Sequence, residues 1–226
     1  MRSTLSIFFL LFVVAPAVAQ QSEVRQVGTF RGVKAYEAIS VTLKKGDKES
    51  VKVVVERVPL SAVITEVSGN YLKIHMAEGR YNERKVRVEV TYVSIEKVSA
   101  QSAAEVLSEG TIKAATLDIA VASAASIELT IETGAVTVDV ASAGDVILEG
   151  SSKSLLVEAA SAGVLDAYNL ECETVDAAAS SAGSAKVKAT KGIRANAESA
   201  GSIRYRGNPT KSDTRSSGGG SVRKTD

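Results

Sequence analysis

Four cationic side chains near the C-terminal end of the sequence have the spacing of a binding surface. Lys186 and Lys188 lie two residues apart, as do Arg204 and Arg206, and 18 residues separate the two pairs. Residues two apart share one face of a β-strand, so stacked strands would bring all four together. Such a cluster could bind an anionic polysaccharide or lipopolysaccharide phosphates. It could equally prevent a sheet edge from pairing with another molecule, as edge lysines do.

Carboxylates form a second set of candidate residues. Asp139 and Glu158 occupy one place of the repeat described below, and Asp118 and Asp176 occupy another. Paired carboxylates can serve as acid and base in glycoside cleavage. The connections between the predicted strands are short for shaping a cleft, so a solvated polar face is the favoured interpretation. A carbohydrate-active enzyme of the β-helix type is the alternative.

Other reactive side chains are scarce. His75 is the only histidine and is expected to face solvent, and no residue near it suggests a Ser-His-Asp arrangement. Cys172 is the only cysteine and has no cysteine or histidine at metal-ligand spacing, so we expect a small packed side chain. The sequence therefore predicts no catalytic residue, no metal site and no cofactor. A net charge of +1 and 4% aromatic residues also argue against a nucleic-acid partner.

A repeat explains why the candidate residues recur at fixed intervals. A serine followed by alanine returns every 18 to 21 residues, and the third place is alanine in the first two copies and glycine afterwards. Apolar and polar residues alternate strictly on both sides, which is the pattern of strands with one buried face. The serines are Ser102, Ser123, Ser142, Ser161, Ser181 and Ser199, and the glycines are Gly144, Gly163, Gly183 and Gly201.

A unit of about 19 residues with two short strands cannot bury its apolar face alone, whereas stacked units can. The fold class predicted is all-β: a parallel β-helix, or β-solenoid, with coils of about 19 residues and a right-handed winding. A twisted antiparallel meander is the rival arrangement. We expect each glycine to turn the chain at a corner with positive φ, which glycine adopts without steric cost. Calcium-binding corners are the alternative, but only the copy at Ser142 has an acidic residue next, Asp145.

Composition divides the chain into segments. Residues 1–19 combine an arginine, an apolar run and a small-residue end, which predicts a cleaved secretory signal peptide and an exported protein, periplasmic or at the cell surface. No later segment is apolar enough to cross a bilayer. Residues 20–27 are interpreted as a linker, 28–93 as opening strands and a cap, and 94–210 as the Ser-Ala-Gly coils. Residues 211–226 are rich in serine, glycine and charge, and are predicted to be disordered.

Several segments together resemble a known family. They are "FRGVKAYEAISVTLKKGDKESVKVVVE", "VSGNYLKI" and the closing Tyr205-Arg206-Gly207-Asn208-Pro209, in that order after a signal peptide. The chain resembles the head GIN domain family, whose members are called autotransporter adhesin head domains and are common in Bacteroidota. The resemblance covers roughly residues 28–210. It implies a β-helical domain outside the cytoplasm and brings no catalytic residues. The family's corners usually read Gly-Ser-Gly-Asp, whereas four corners of this chain read Ser-Ala-Gly and only one is followed by an aspartate, Asp145.

The sequence thus favours a non-catalytic exported protein, a cell-envelope interaction or adhesion module whose solenoid face binds a glycan or another surface component. The candidate anion- or glycan-binding patch consists of Lys186, Lys188, Arg204 and Arg206. A β-helix enzyme and an oligomerising structural envelope protein are the two alternatives.

Overall fold

The computed structural model describes residues 20–81 and 84–225, so the predicted signal peptide, residues 1–19, lies outside the described residues. The described chain is almost entirely β-structure, in parallel stacked coils of about 19 residues that form a β-solenoid of about seven turns. The predicted all-β parallel solenoid with coils of about 19 residues is confirmed.

Sixteen strands and one short 3-10 turn, Leu60–Ala62, make up the fold of the described residues. The opening strands are β1 Gln21–Gln26, β2 Gly32–Ala35, β3 Ser40–Lys45, β4 Ser50–Glu56, β5 Val63–Ser68, β6 Tyr71–Met76, β7 Lys85–Tyr92 and β8 Lys97–Gln101. The coils continue with β9 Glu105–Ala122, β10 Ser126–Val140, β11 Asp145–Ala159, β12 Val164–Ala179, β13 Ser184–Ala197, β14 Ser202–Arg206, β15 Lys211–Ser216 and β16 Ser221–Lys224.

Each long strand bends and contributes to two sheets. Its first part lies on the sheet that follows the corners, called here sheet A, and its last part lies on the sheet that precedes them, sheet B. Neighbouring strands from β9 to β13 pair in parallel, and equivalent repeat residues are partners, as in Ile127 with Val146 and Val138 with Val157. These inward side chains are fully buried. The alternation read from the sequence therefore becomes columns of apolar side chains along the solenoid axis.

The corners turn by a different residue from the one the sequence predicts. In the corner at Ser161-Ala162-Gly163, φ is 49° at serine and 62° at alanine, and Gly163 is outside the positive-φ region. The amide of Gly163 donates to the carbonyl oxygen of Ala160 at 2.8 Å, which closes a tight turn over the two left-handed residues. The same holds at Gly144, Gly183 and Gly201. The prediction that glycine supplies the positive φ is wrong.

Glycine is needed at these corners because the neighbouring coil lies too close for a side chain. A Cβ on Gly183 would overlap the carbonyl oxygen of Ala159 and lie 2.5 Å from the carbonyl carbon. The room is slightly greater at Gly144, where the nearest atom would be Val121 Cγ1 at 2.9 Å. At the two preceding corners the place is taken by alanine, Ala104 and Ala125, both buried. The corners therefore become tighter along the solenoid.

Backbone hydrogen bonds stack the corners on one another. They also reveal two further corners that the sequence repeat does not show. The amide of each corner alanine donates to the carbonyl oxygen of the next corner's first left-handed residue, for example Ala162 to Ser181 at 3.1 Å. The column begins at Ala38, which donates to Ser102 at 2.9 Å, and ends at Ala200, which donates to Gly218 at 3.1 Å. The left-handed pairs there are Glu37-Ala38 and Gly218-Gly219. Conformation, and not the letters Ser-Ala-Gly, defines the corner.

The N-terminal end is closed by strands that do not follow chain order. Sheet A begins β1-β4-β7-β3-β9, and sheet B begins with β5, β6, β2 and β8. The pairs β1–β4, β4–β7 and β5–β6 are antiparallel. Residues 20–27, predicted to be a linker, mostly form edge strand β1, because the backbone of β4 offers it a pairing partner. The predicted cap at residues 28–93 is thus completed by a segment outside those bounds.

One arginine ties the two sheets together at this end. The guanidinium of Arg25 on β1 donates to the carbonyl oxygens of Val63 at 2.6 Å and Leu60 at 2.9 Å, and to Thr65 Oγ1 at 3.2 Å. Glu23 accepts from its Nε at 2.8 Å. Since β1 belongs to sheet A and β5 to sheet B, Arg25 bridges the open end of the core.

At the C-terminal end the prediction of a disordered tail is wrong. β15 pairs in parallel with β13, and β16 pairs with β14, so residues 211–224 form a further coil. Its inward places hold polar residues such as Ser212 and Thr214, and β15 is exposed throughout. Serine, glycine and charge in this segment are the composition of a polar terminal coil, which needs only backbone pairing and leaves its last face to water.

Candidate functional site

The predicted cationic patch lies on sheet A, where the register stacks its members. Lys186 on β13 is the partner of Arg204 on β14, and Lys188 is the partner of Arg206. Arg204 in turn is the partner of Arg223 on β16. Parallel strands are about 4.8 Å apart, so the four predicted residues are brought together and a fifth cation extends the column.

The two lysines of the patch are already neutralised by acids on the preceding coil. Lys186 Nζ lies 2.8 Å from Asp166 Oδ2, and Lys188 Nζ lies 2.9 Å from Glu171 Oε2. Two further pairs join the same strands, at 2.7 Å between Lys191 and Glu173 and 3.1 Å between Arg194 and Asp176. We call these four pairs between β12 and β13 the ion-pair seam. The lysines therefore hold coils together, which reduces their availability to a ligand.

Arg206 is held by an aromatic ring. Its guanidinium carbon lies 4.1 Å from the centroid of the Tyr168 ring, a cation–π contact that also orients the planar group. The hydroxyl of Tyr168 lies 3.1 Å from Thr225 Oγ1, so the ring reaches from β12 to the end of β16. Tyr168 is part of an irregularity in the pairing of β12 with β13, which makes room for its half-buried side chain. Sequence reasoning did not assign Tyr168 to the patch.

Arg204 and Arg223 differ from the other cations. Both are exposed, and within residues 20–81 and 84–225 neither makes an ion pair with an acidic side chain. Arg223 Nε donates to Ser221 Oγ at 3.1 Å. We call Arg204, Arg206 and Arg223 the basic edge. Arg223 was missed because its segment was predicted to be disordered, although it lies 19 residues after Arg204, which is one repeat.

The carboxylates lie in the predicted columns but are not enclosed. Asp139 and Glu158 are partners on adjacent coils of sheet B, and both are exposed. Asp118 lies 3.2 Å from Lys97 Nζ, and Asp176 belongs to the ion-pair seam. Near the patch, burial, reinforced by repulsion from Asp166, raises the pKa of Asp145 above its usual value. That carboxyl begins β11 just after the Ser142 corner, and nothing in the described chain makes it part of a metal site.

His75 and Cys172 occupy the kind of positions that the sequence indicates. His75 alternates with buried Ile74 and Met76 and is half-buried, with Nδ1 3.0 Å from the carbonyl oxygen of Met76. Cys172 is fully buried in a column of small side chains with Ser152 and Ala189. Burial, together with the charge of Glu171, raises the pKa of its thiol to about 12, so the thiol is protonated at neutral pH.

The described residues contain neither a metal-binding cluster nor a membrane-spanning helix. Among them, no group of three or more histidine, cysteine or acidic side chains is placed to hold a metal ion. Within the same residues, no helix has the length and apolar character needed to span a membrane.

Comparison with known proteins places the chain. The family model described as "Putative auto-transporter adhesin, head GIN domain" matches residues 29–209. No curated protein matches. Among solved structures, a "putative adhesin" from Bacteroides fragilis is similar with a TM-score of 0.83 and 20% identity, over 93% of this chain and 99% of that one. A "putative adhesin" from Parabacteroides merdae gives a TM-score of 0.74 and 15% identity, covering 92% and 96%.

A third similar structure has a different description. It is a "putative lipid binding protein" from Parabacteroides distasonis, with a TM-score of 0.69 and 17% identity over 92% of this chain and 97% of that one. Identities this low show a shared fold and not a shared ligand. The family model, in contrast, spans most of the chain and agrees with the residues that carry the resemblance. The chain therefore belongs to the head GIN domain family.

Proposed function

We propose that this protein is a non-catalytic, exported module of the cell envelope that attaches to anionic surface components through the basic edge. Membership of a family named for adhesins supports an exported or surface location and a role in contact with other molecules. The names of the similar structures, which mention adhesion and lipid binding, point to the same kind of role.

The observation that carries the proposal is the stacking of Arg204 on Arg223 without an acidic partner among the described residues. Elsewhere on the coils a cation usually faces an acid on the next strand, as Lys113 faces Glu132 at 2.7 Å. Two guanidinium groups on neighbouring strands about 4.8 Å apart repel each other, and an anion placed between them removes that repulsion. Arginine also binds carboxylate, sulfate or phosphate oxygens through two parallel hydrogen bonds.

The shared chemistry of the ligand is a row of anionic groups. Arg204, Arg206 and Arg223 lie on a flat exposed strand surface, so they suit a polymer or a surface and not a small enclosed molecule. Sulfated or carboxylated polysaccharides and the phosphates of lipid headgroups both offer such rows. The contact with the Tyr168 ring restrains the Arg206 side chain and so reduces the entropy that the arginine loses on binding.

Binding should be measured against three probes: a sulfated polysaccharide, vesicles of phosphatidylglycerol, and uncharged dextran as the negative probe. We expect affinity for one or both anionic probes to fall as salt rises, because exposed charges are screened beyond about 8 Å at physiological ionic strength. The double variant Arg204→Ser/Arg223→Ser should bind about tenfold more weakly. Tighter binding to the polysaccharide would indicate a glycan ligand, and tighter binding to the vesicles would indicate lipid headgroups.

A matched control separates a site from overall charge. The double variant Lys97→Ser/Lys113→Ser also removes two cations, from ion pairs on earlier coils. It should bind like the unmodified protein. Equal losses in the two double variants, or no binding to either anionic probe, would overturn the proposal.

A catalytic alternative rests on one observation, the partnership of Asp139 and Glu158 on adjacent coils. Strands about 4.8 Å apart place these carboxylates near the separation of about 5 to 5.5 Å found in retaining glycosidases. Incubation with a panel of polysaccharides decides between the functions. Cleavage that disappears in Asp139→Ala/Glu158→Ala, with the fold intact, would show an enzyme.

A further inference from the structure

Sheet B carries an open trough of about 650 Å³ on its outer surface, whereas the basic edge lies on sheet A. It crosses β10, β11, β12, β13 and β15, so its long direction follows the solenoid axis. Its floor is a column of small residues that are partners on successive coils: Ala135, Ser154, Thr174 and Gly192. Five strands about 4.8 Å apart give the trough a length of about 19 Å.

An exposed leucine lies in the middle of the trough. Leu156 is 46% exposed, although its partners in the same column are Thr137 and Asp176, which are polar. Leaving a leucine side chain in water forgoes part of the roughly 1.5 to 3 kcal/mol that its full burial would contribute. An apolar surface of this kind gains free energy when a ligand covers it.

The glycine in the floor is not required by the fold. Gly192 lies outside the positive-φ region, and a Cβ placed on it would find its nearest atom, Thr174 Cγ2, at an ordinary 3.8 Å. This differs from Gly163, Gly183 and Gly201, where a Cβ would strike backbone. Glycine within a strand costs about 0.5 to 1 kcal/mol relative to alanine. What glycine does provide at this position is depth, because any side chain would fill the floor.

The charges around the trough cancel. Asp176 and Arg194 form an ion pair at 3.1 Å, and the last coil adds Lys211 and Asp213. The trough therefore offers hydrogen-bond donors and acceptors without a net charge, and it would not favour the polyanion that suits the basic edge. Ser154 and Thr174, which are partners on β11 and β12, add hydroxyl groups on adjacent coils, and Thr137 adds another on β10.

We propose that this trough binds an uncharged linear glycan that lies along the solenoid axis. The rung spacing is close to the length of one sugar residue in an extended chain, so neighbouring sugars would meet the equivalent hydroxyls of Ser154 and Thr174 on adjacent coils. Leu156 would pack against the apolar face of a sugar ring, and the carboxylate of Asp176 and the guanidinium of Arg194 would bind ring hydroxyls. The site is independent of the basic edge and goes beyond the proposed function.

A peptide strand is the less favoured occupant. The trough lies on the face of a sheet, and β10 to β13 beneath it are paired on both sides, so an added strand finds no free edge along most of its length. Among the described strands of the trough, only β15, at one end, has an unpaired edge. A sugar chain needs no such edge, because its hydroxyls bond to side chains.

The test is calorimetric titration with linear hexasaccharides of β-1,4-linked glucose, β-1,4-linked mannose and α-1,4-linked glucose. Sodium chloride at about 0.5 M suppresses binding at the basic edge, because the screening length is then only a few ångströms. At least one hexasaccharide should bind under these conditions. Gly192→Val, which fills the floor, and Leu156→Asp, which removes the apolar surface, should each weaken binding about tenfold.

Two controls make the result decisive. Ala178→Val adds the same kind of bulk to an exposed position of β12 outside the trough and should leave binding unchanged. Arg204→Ser/Arg223→Ser should also leave it unchanged, which separates failure of this proposal from failure of the proposed function. The inference is wrong if none of the three hexasaccharides binds, if Gly192→Val binds like the unmodified protein, or if the arginine double variant loses binding.

Discussion

The first and last coils of the solenoid share one backbone path but are held together by different interactions. Near the N-terminal end the core contains large side chains such as Leu117 and Ile119, and the open end is covered by antiparallel strands and Arg25. Near the C-terminal end the column of Ile119 holds Ala177 and Ala195, the corners have no room for a methyl group, and the last coil is polar.

This difference shows that the path of a coil and the stability of a coil come from different interactions. Parallel pairing and stacked corners impose the same path on an isoleucine-rich coil and an alanine-rich one. Because alanine buries less apolar area, the later coils depend more on close backbone contact and on the ion-pair seam. The unpaired arginines lie at this less apolar end, where an attached ligand would add contacts that the core does not supply.

The largest expected effect tests the tight corners of the later coils. Gly183→Ala should lower the free energy of unfolding by about 3 kcal/mol, because its Cβ would overlap the Ala159 carbonyl in a region that cannot relax easily. Urea denaturation measures the change. Gly192→Ala is the matched control and should be neutral or slightly stabilising, since its Cβ has room. Similar costs for the two variants would contradict the close-approach explanation.

A second prediction concerns Arg25, which closes the N-terminal end of the solenoid. Arg25→Ala removes hydrogen bonds to Leu60, Val63 and Thr65 and should lower the free energy of unfolding by about 2 kcal/mol. Arg215→Ala at the other end loses only an exposed contact with Asp213 on its own strand and should be close to neutral. Thermal and urea unfolding both report the change. If Arg215→Ala costs as much as Arg25→Ala, the two ends are closed in equivalent ways.

A third prediction concerns a substitution that should raise the free energy of unfolding, whereas Gly183→Ala should lower it. Ala162 is left-handed at φ 62°, so Ala162→Gly should raise the free energy of unfolding by about 0.5 kcal/mol, after the greater chain entropy of glycine is subtracted. The neighbouring Gly163→Ala should be destabilising because its Cβ would strike the Val140 carbonyl. Urea unfolding of the two variants shows whether each substitution raises or lowers the free energy of unfolding. If Ala162→Gly is destabilised instead, the methyl groups of the stacked corner alanines must contribute favourable packing contacts.

The smallest effect concerns the ion-pair seam. The hydrogen bond from Lys191, with its charge, lowers the pKa of Glu173 below the usual 4.5. A carboxyl whose folded pKa is lowered stabilises the protein above its unfolded pKa, and that contribution is lost as pH falls through the folded pKa. Glu173→Gln should therefore lose slightly less stability than the unmodified protein between pH 5 and 3. Melting temperatures across that range test it, and a steeper loss in the variant would contradict it.

The sequence was sufficient for the coil because its signals are local. Alternation fixes which face of each strand is buried, and the spacing of Ser142, Ser161 and Ser181 fixes the coil length. Together they correctly predict that Lys186 stacks on Arg204 and that Asp139 stacks on Glu158. The pairing of Lys188 with Glu171 could not be read in the same way, since an irregularity near Tyr168 changes which residues face each other.

Other features depended on contacts between distant segments. Chain order suggests that β2 and β3 begin the stack, yet β6 and β7 pair on their outer side. Residues 211–224 look disordered by composition, but β13 and β14 offer them backbone partners. The left-handed conformation at Ser161 and Ala162 runs against the ordinary preference of L-residues for negative φ, so propensity pointed to Gly163 instead.

By itself, the sequence determined the repeat, the buried face and the smallness of the corners, because each follows from the period of a strand and from the volume of a side chain. Only the tertiary structure decided which corner residue is left-handed, which strands close the ends and which cations keep a free guanidinium. Those outcomes depend on the carbonyl or carboxylate that the next coil presents, and that neighbour lies a full repeat or more away along the chain.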